Sequence, residues 1–198
     1  MPHWERTGGC YFVTFRLHDS LPLELLARIR NQRDILDKGR RAGTTIKADE
    51  VALHEMQVLI KKAERCLDEG RGTCYMRDRR IAQIVENAIT SFEGNRYRLF
   101  AWCVMPNHVH AVFSPLGQHR LKDILHTWKS FSAHEAKRIL GGTGAFWQRE
   151  YFDHLIRNQS SFQKIISYVK ENPSKARLDN WPWLRVLSRE WPQETRIL

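Results

Sequence analysis

Between Arg77 and Glu93 the apolar residues Ile81, Ile84, Val85, Ala88, Ile89 and Phe92 recur at i, i+3, i+4, i+7, i+8 and i+11, one stripe of an amphipathic helix. Gly94-Asn95 stops it, and two apolar runs follow at once, Arg96 to Val104 and His108 to Ser114. Only the turn residues Met105-Pro-Asn separate them, so the pair reads as a β-hairpin. Upstream, the aromatic and β-branched run Cys10 to Leu17 follows the breaker Gly8-Gly9 and predicts a strand. Downstream, Leu121, Ile124, Leu125, Trp128, Ser132, Ala136 and Ile139 trace a second buried stripe over Gln118 to Leu140, closed by Gly141-Gly142, and Phe146 to Ile156 supplies a fourth strand. The order β-α-β-β-α-β predicts an α+β, ferredoxin-like split β-α-β sandwich: a four-stranded antiparallel sheet with helices on one face.

Two segments fall outside that unit. Leu23 to Asp37 and about Asp49 to Glu69 are helical in pattern, and we read Lys38 to Tyr75 as a helical insertion. A last helix starts at Ser160, whose Ser-Ser-Phe-Gln run matches a capping box, and is expected to end near Asn172 because Pro173 follows. The tail from about 176 to 198, with Trp181-Pro-Trp183 and Trp191-Pro192, is expected to be irregular. At 198 residues, 42% of them hydrophobic, the chain is read as a single domain, 1–198, with these decorations.

Lys and Arg number 32 against 22 Asp and Glu, a net charge of +10 that makes nucleic acid the leading partner class, a basic enzyme without such a partner being the alternative. Cys10, Cys66, Cys74 and Cys103 show no CxxC spacing, which suggests neither a zinc ribbon nor a disulfide framework and fits a reducing cytoplasm. The opening Met1-Pro-His-Trp-Glu-Arg lacks an apolar signal region, and no apolar run approaches the roughly 18 residues of a membrane span.

Alternate side chains of a strand share a face, so His108 and His110 point the same way with Val109 buried behind them, offering two imidazoles to one ion. A bare His-x-His is more often structural; its company raises it. On the last helix Phe162, Ile165, Ile166 and Val169 make the core stripe, which leaves Tyr168 about 110° from its centre and Asn172 about 40° from Tyr168. A hydroxyl and a carboxamide oxygen can therefore face one cleft, although packing for Tyr168 and a helix cap for Asn172 would also explain them.

The stretch Ala101-Trp-Cys-Val-Met-Pro-Asn-His-Val-His110 resembles the HUH motif of single-tyrosine transposases, in particular the REP-associated tyrosine transposases. Gly9 to Leu17, Phe146 to Arg157 and Tyr168-Val-Lys-Glu-Asn-Pro173 are similar to that family's blocks, in the family's order, and about two thirds of the chain is covered. The resemblance implies that His108 and His110 bind a divalent metal, Mg²⁺ or Mn²⁺, that Tyr168 is the nucleophile, and that Asn172 stands where a third ligand, commonly glutamine in related insertion-sequence enzymes, is expected. Tyr151 is the rival nucleophile. The implied activity is cleavage and rejoining of single-stranded DNA at hairpins or palindromic repeats through a covalent phosphotyrosine, by a monomer or homodimer; a domesticated hairpin-binding protein and a metal-dependent phosphodiesterase are the alternatives. A phenol of ordinary pKa near 10 needs a cation or base to ionise, and Lys170 is one candidate. Candidate phosphate contacts are Arg120, Lys122, Lys129, Lys137 and Arg138 on the second helix, and the seven basic residues between Arg28 and Lys47. Trp102, Trp147, Trp181, Trp183 and Tyr151 are candidate base-stacking platforms.

Overall fold

A computed structural model of the chain describes residues 8–42, 46–187 and 190–191, the side chains of 40–42 and 46–49 excepted. Among the described residues the strands are β1 (Cys10–Arg16), β2 (Tyr97–Val104), β3 (His108–Pro115), β4 (Phe152–Ile156) and β5 (Leu184–Val186). The longer helices are α1 (Leu23–Ala42), α2 (Ile46–Asp68), α3 (Arg79–Thr90), α4 (Leu121–Leu140) and α5 (Gln159–Lys175). The fold is α+β, with one antiparallel sheet in the order β4-β1-β3-β2-β5.

The expected sheet of four strands is corrected to five. The tail is not wholly irregular: Leu184, Arg185 and Val186 pair with Cys103, Trp102 and Ala101 of β2, whose edge would otherwise leave its backbone groups unpaired. The sequence hides this strand because it is three residues long and set among prolines and tryptophans. Residues 188–189 and 192–198 lie outside the described residues, Pro192 among them.

Strand alternation divides the apolar residues between the two faces. Tyr11, Val13 and Phe15 of β1 and Val109, Ala111 and Phe113 of β3 pack with Ile81, Val85 and Ile89 of α3 and Leu125 and Trp128 of α4. Cys10, Phe12 and Val112 face the other way, against Phe162, Ile166 and Val169 of α5. Helices therefore cover both faces, not one, because α5 returns after β4 to the face that α3 and α4 leave open.

Helix ends follow their caps more closely than their apolar stripes. Asp78 caps α3 by accepting from Arg80 N at 2.9 Å, so the helix starts at Arg79 after a single 3₁₀ turn. Gly141, at φ 68°, ends α4 where the sequence placed the stop. The cap of α5 is Asn158, accepting from Ser161 N, rather than Ser160. This helix also runs through Pro173 to Lys175: proline gives up one backbone bond, while Ala176 N, Arg177 N and Leu178 N close the last turn on the carbonyls of Asn172, Ser174 and Pro173. β4 is shorter than expected, since Phe146 and Trp147 are buried in a loop and Tyr151 precedes the strand.

α1 continues past Asp37 into residues expected to be a polar loop, and with α2 it forms a helical hairpin. Leu25, Leu26, Ile29 and Leu36 interlock with Met56, Leu59 and Leu67, a core of the hairpin's own. Cys10, Cys66, Cys74 and Cys103 are free and buried, and no helix among the described residues is long and apolar enough to cross a membrane.

The tie between α3, α4 and β2 is Tyr97, whose hydroxyl donates to Ile89 O at 2.7 Å and accepts from Trp128 Nε1 at 2.9 Å. Tyr97→Phe strands both buried partners. It is expected to cost about 1–3 kcal/mol in urea unfolding at an unchanged m value, and a loss below about 0.3 kcal/mol would show that the helices do not depend on this hydroxyl.

Candidate metal and nucleophile site

β1 and β3 pair in a register that sets Thr14 opposite His110 and Arg16 opposite His108. The two imidazoles therefore lie on the α5 face of the sheet, and Val109 packs behind them under α3 and α4. Both are buried, at 0% and 2% exposure. Their Nε2 atoms stand 3.0 Å apart.

Each ring is held by its other nitrogen. His108 Nδ1 lies 2.7 Å from Asn107 Oδ1, and Asn107 is itself oriented because its Nδ2 donates to Leu67 O at 3.2 Å and Arg71 O at 2.9 Å. With its amide group committed, Asn107 offers only an oxygen, so His108 carries its proton on Nδ1 and turns the lone pair of Nε2 toward His110. His110 Nδ1 lies 2.8 Å from Thr14 Oγ1, a group that can donate or accept. His110 can thus donate from Nε2 to His108, or shift its proton to Nδ1 and leave two lone pairs converging on one point. The second arrangement could accept a cation.

α5 closes the site from above the sheet. The Tyr168 ring packs against His110 with centroids 5.3 Å apart, and Phe12 supports both, stacked on His110 at 5.4 Å and edge-on to Tyr168 at 5.8 Å. Asn172, one turn further on, is 1% exposed; its carboxamide lies close enough to His108, His110 and Tyr168 to favour the charged form of each, yet neither Oδ1 nor Nδ2 makes a hydrogen bond of good geometry. A buried carboxamide without partners is costly and calls for one. No group of three His, Cys, Asp or Glu that could hold a metal occurs among the described residues. The donor set available to a cation is accordingly His108 Nε2, His110 Nε2 and Asn172 Oδ1. Two nitrogens bound at about 2.1 Å and at right angles to one ion lie about 3.0 Å apart, so the observed pair fits it.

Burial governs the protonation of the site. It lowers His108 to about 3, against the opposing carboxamide of Asn172 and with Arg16 adding to the shift, and it holds His110 well below the usual range with help from His108. Both rings are neutral at physiological pH, the form that binds metals. Tyr168 is pushed above its ordinary value first by burial and then by the charge of Glu64, while Asn172 opposes. The cation over its ring is Lys175, with Nζ 5.2 Å from the centroid.

Other candidates are placed elsewhere. α4 lies on the opposite face of the sheet from the histidines, and its basic residues are engaged: Arg120 with Asp123 at 2.8 Å, Arg138 with Glu135 at 3.2 Å, and Lys129, whose Nζ donates to the carbonyls of Gln148 and Arg149. Lys122 is exposed and Lys137 half-buried on the same helix. Arg40, Arg41 and Lys47 have side chains outside the described residues. Trp102, Trp147 and Trp183 are buried and cannot stack on bases without unfolding their surroundings, and Trp181 is half-buried with its Nε1 on Val104 O. Sequence reasoning passed over Thr14, Arg16 and Asn107. Asn107 was read only as turn chemistry, and the two β1 residues acquire meaning only once the β1–β3 register is known.

A family model described as "Transposase IS200 like" matches residues 74–172, half of the chain and a span that holds both histidines, Tyr168 and Asn172. The chain belongs to the IS200-like transposase family. It is 26% identical over 115 residues to a REP-associated tyrosine transposase of Escherichia coli (strain K12), an alignment covering 57% of this chain and 63% of that protein. A solved structure of a REP-associated tyrosine transposase bound to a REP hairpin is similar in fold, with a TM-score of 0.55 at 16% identity over 100% of this chain and 93% of that one.

The neutral histidines carry a pH signature. Their folded-state pKa lies below the ordinary 6.5, so on acidification the unfolded chain takes up protons that the folded one refuses. Stability is then highest above about 6.5 and is lost as pH falls toward about 3. In metal-free protein the loss between pH 7 and 5 that His108 contributes is expected to be on the order of 2 kcal/mol by denaturant unfolding, with His110 adding in the same direction, and His108→Gln should remove the His108 share. An acid limb identical in that variant refutes this account.

Proposed function

We propose that the chain is a metal-dependent transposase of single-tyrosine type that cleaves and rejoins single-stranded DNA at hairpin or palindromic repeat sites. The observation that carries the reading is the convergence of His108 Nε2, His110 Nε2 and the buried Asn172 carboxamide beside the ring of Tyr168. Family membership and the likeness to REP-associated tyrosine transposases support it.

In this reading His108, His110 and Asn172 hold Mg²⁺ or Mn²⁺. When bound, the ion offsets the charge of the scissile phosphate and favours the ionised phenol. The rest is done by the chain's own residues. Asn107 and Thr14 fix the imidazoles, so the donors are arranged before a ligand arrives. The Tyr168 oxygen attacks phosphorus, one P–O ester bond breaks, and the departing strand end leaves as a hydroxyl after taking up a proton. The phosphate stays on Tyr168 as a diester, and attack by a strand-end hydroxyl reverses the step and rejoins DNA without an external energy source. Burial of Tyr168 keeps the phenol protonated until phosphate and metal are present, which suppresses idle reactivity.

The test is incubation with labelled single-stranded hairpin DNA and Mn²⁺, followed by denaturing electrophoresis and mass spectrometry of the adduct. A covalent product on Tyr168 is expected; it should be absent from Tyr168→Phe and, with chelator present, from the unaltered protein. His110→Ala should lower the rate by more than about 100-fold, whereas Asn172→Gln, which keeps the carboxamide, should retain part of it. An adduct that survives in Tyr168→Phe, or maps to Tyr151, overturns the assignment of the nucleophile.

A further inference from the structure

Beside the histidine pair lies a second polar feature that the proposed chemistry does not use. Arg16, on β1 directly opposite His108, is 7% exposed, and its Nε is buried without a hydrogen-bond partner. Arg33 reaches the same place from α1 with only 15% of its side chain exposed, and its Nε is likewise buried and unpartnered. The two guanidinium groups line one cavity of about 50 Å³ together with Thr14, His110, Phe152 and Glu64, room for a few waters and comparable to the four oxygens of a phosphate.

The charges around this cavity do not balance. Arg33 and Arg30 both repel Arg16, and the carboxylate acting on it is that of Glu150, which is 3.7 Å from Arg33 Nη1 and 45% exposed. Glu64, on the α2 wall, has Lys61 and Lys175 acting on its charge. The buried Arg16 and the half-buried Arg33 thus face Glu64, whose charge is disfavoured first by its own burial, and the loosely held Glu150, and each keeps a buried Nε without a partner. Burying a cation without a partner costs several kcal/mol, so such a surplus persists in a fold where it serves an anion. The planar fork of arginine suits the oxygens of a phosphate.

Resting on the reading of the chain as a single-strand-cleaving enzyme, we propose that Arg16 and Arg33 form a subsite for a DNA backbone phosphate next to the scissile one. Tyr168 is not among the residues lining this cavity; it lines an open groove of about 450 Å³ along α5 with Ser160, Gln163, Lys164 and Lys175. His110 touches both sides, with its ring against Tyr168 and its Nδ1 on Thr14. A strand entering along α5 places one phosphate at Tyr168 and the next past His110 on the arginine pair, which sets the register of cleavage. Arg16 and Arg33 are positioning residues in this scheme.

Two binding measurements test the proposal, both in a Tyr168→Phe background so that neither depends on cleavage. In the first, a short single-stranded oligodeoxynucleotide has its phosphates replaced one at a time by uncharged methylphosphonate. One position is expected to weaken binding about tenfold. That penalty should disappear in Arg16→Gln and in Arg33→Gln, each of which should also reduce the slope of log K against log salt by about 0.7. Equal penalties at every position, or penalties unchanged in both variants, overturn the subsite. In the second, inorganic phosphate is expected to raise the melting temperature above chloride of equal ionic strength for the parent protein but not for Arg16→Gln. Arg16→Lys, which keeps the charge but not the fork, guards against a folding defect. Phosphate selectivity without any adduct in the cleavage assay would sink the transposase reading and leave the subsite standing; loss of selectivity with cleavage intact would do the reverse.

Discussion

The pairing of β1 with β3 holds the molecule and its site in one register. These are inner strands of the sheet, and their alternation sends Val109, Ala111 and Phe113 toward α3 and α4 while His108 and His110 face α5. A slip of one residue would turn every side chain over, placing imidazoles in the apolar core and phenylalanine in the cleft. The mass of aromatic and aliphatic side chains on the α3–α4 face makes that slip prohibitively unfavourable. The same burial that stabilises the fold therefore aims the histidines, and it brings Thr14 and Arg16 opposite them at no further cost.

Holding two imidazoles and a carboxamide out of water works against stability. Asn107 and Thr14 satisfy one nitrogen of each ring, and the hydrogen bond between the two Nε2 atoms satisfies the pair only as long as no cation displaces it. Asn172 has only its approach to the two rings and Tyr168, without a hydrogen bond of good geometry. Its position just before Pro173 explains how the carboxamide is kept there. The helix continues through the proline to Lys175 and the chain then folds back through Trp181, whose Nε1 bonds Val104 O, and Trp191, which packs on Phe162. The tail thus presses α5 onto the sheet and keeps an unsatisfied group buried.

The main elements were legible because their periodicities are long and clean: the Ile81 to Phe92 stripe, the Cys10 run and the hairpin around Met105-Pro-Asn each reappear in place. Local rules of strand alternation and helical angle also put His108 and His110 on one face and Tyr168 and Asn172 on one flank, whereas the meeting of the two pairs was implied only by the family resemblance. What escaped was non-local. β5 exists because the edge of β2 needs a partner, and α5 covers the second face because α3 and α4 fill the first. The relevance of Thr14 and Arg16 rests on a register that no single strand encodes. The length of α1 was missed because Lys38 to Arg41 are polar, although lysine and arginine propagate a helix well once a second helix packs beside it.

The α1–α2 hairpin, which the sequence presented only as an insertion, is tied into the site at two points. The backbone carbonyls of Leu67, at the end of α2, and Arg71 orient Asn107 and through it His108. Its helices also wall the cavity beside His110, with Arg33 from α1 and Glu64 from α2. β1 and the hairpin both lie outside residues 74–172, the span shared with the family. The shared span carries the groups that would do the chemistry, His108, His110, Tyr168 and Asn172. The N-terminal residues supply what orients and surrounds them: Thr14, Arg16, Arg33 and the carbonyl of Leu67. The geometry of the histidine pair therefore depends on both parts, since Thr14 of β1 and the Leu67 carbonyl, acting through Asn107, hold the two rings.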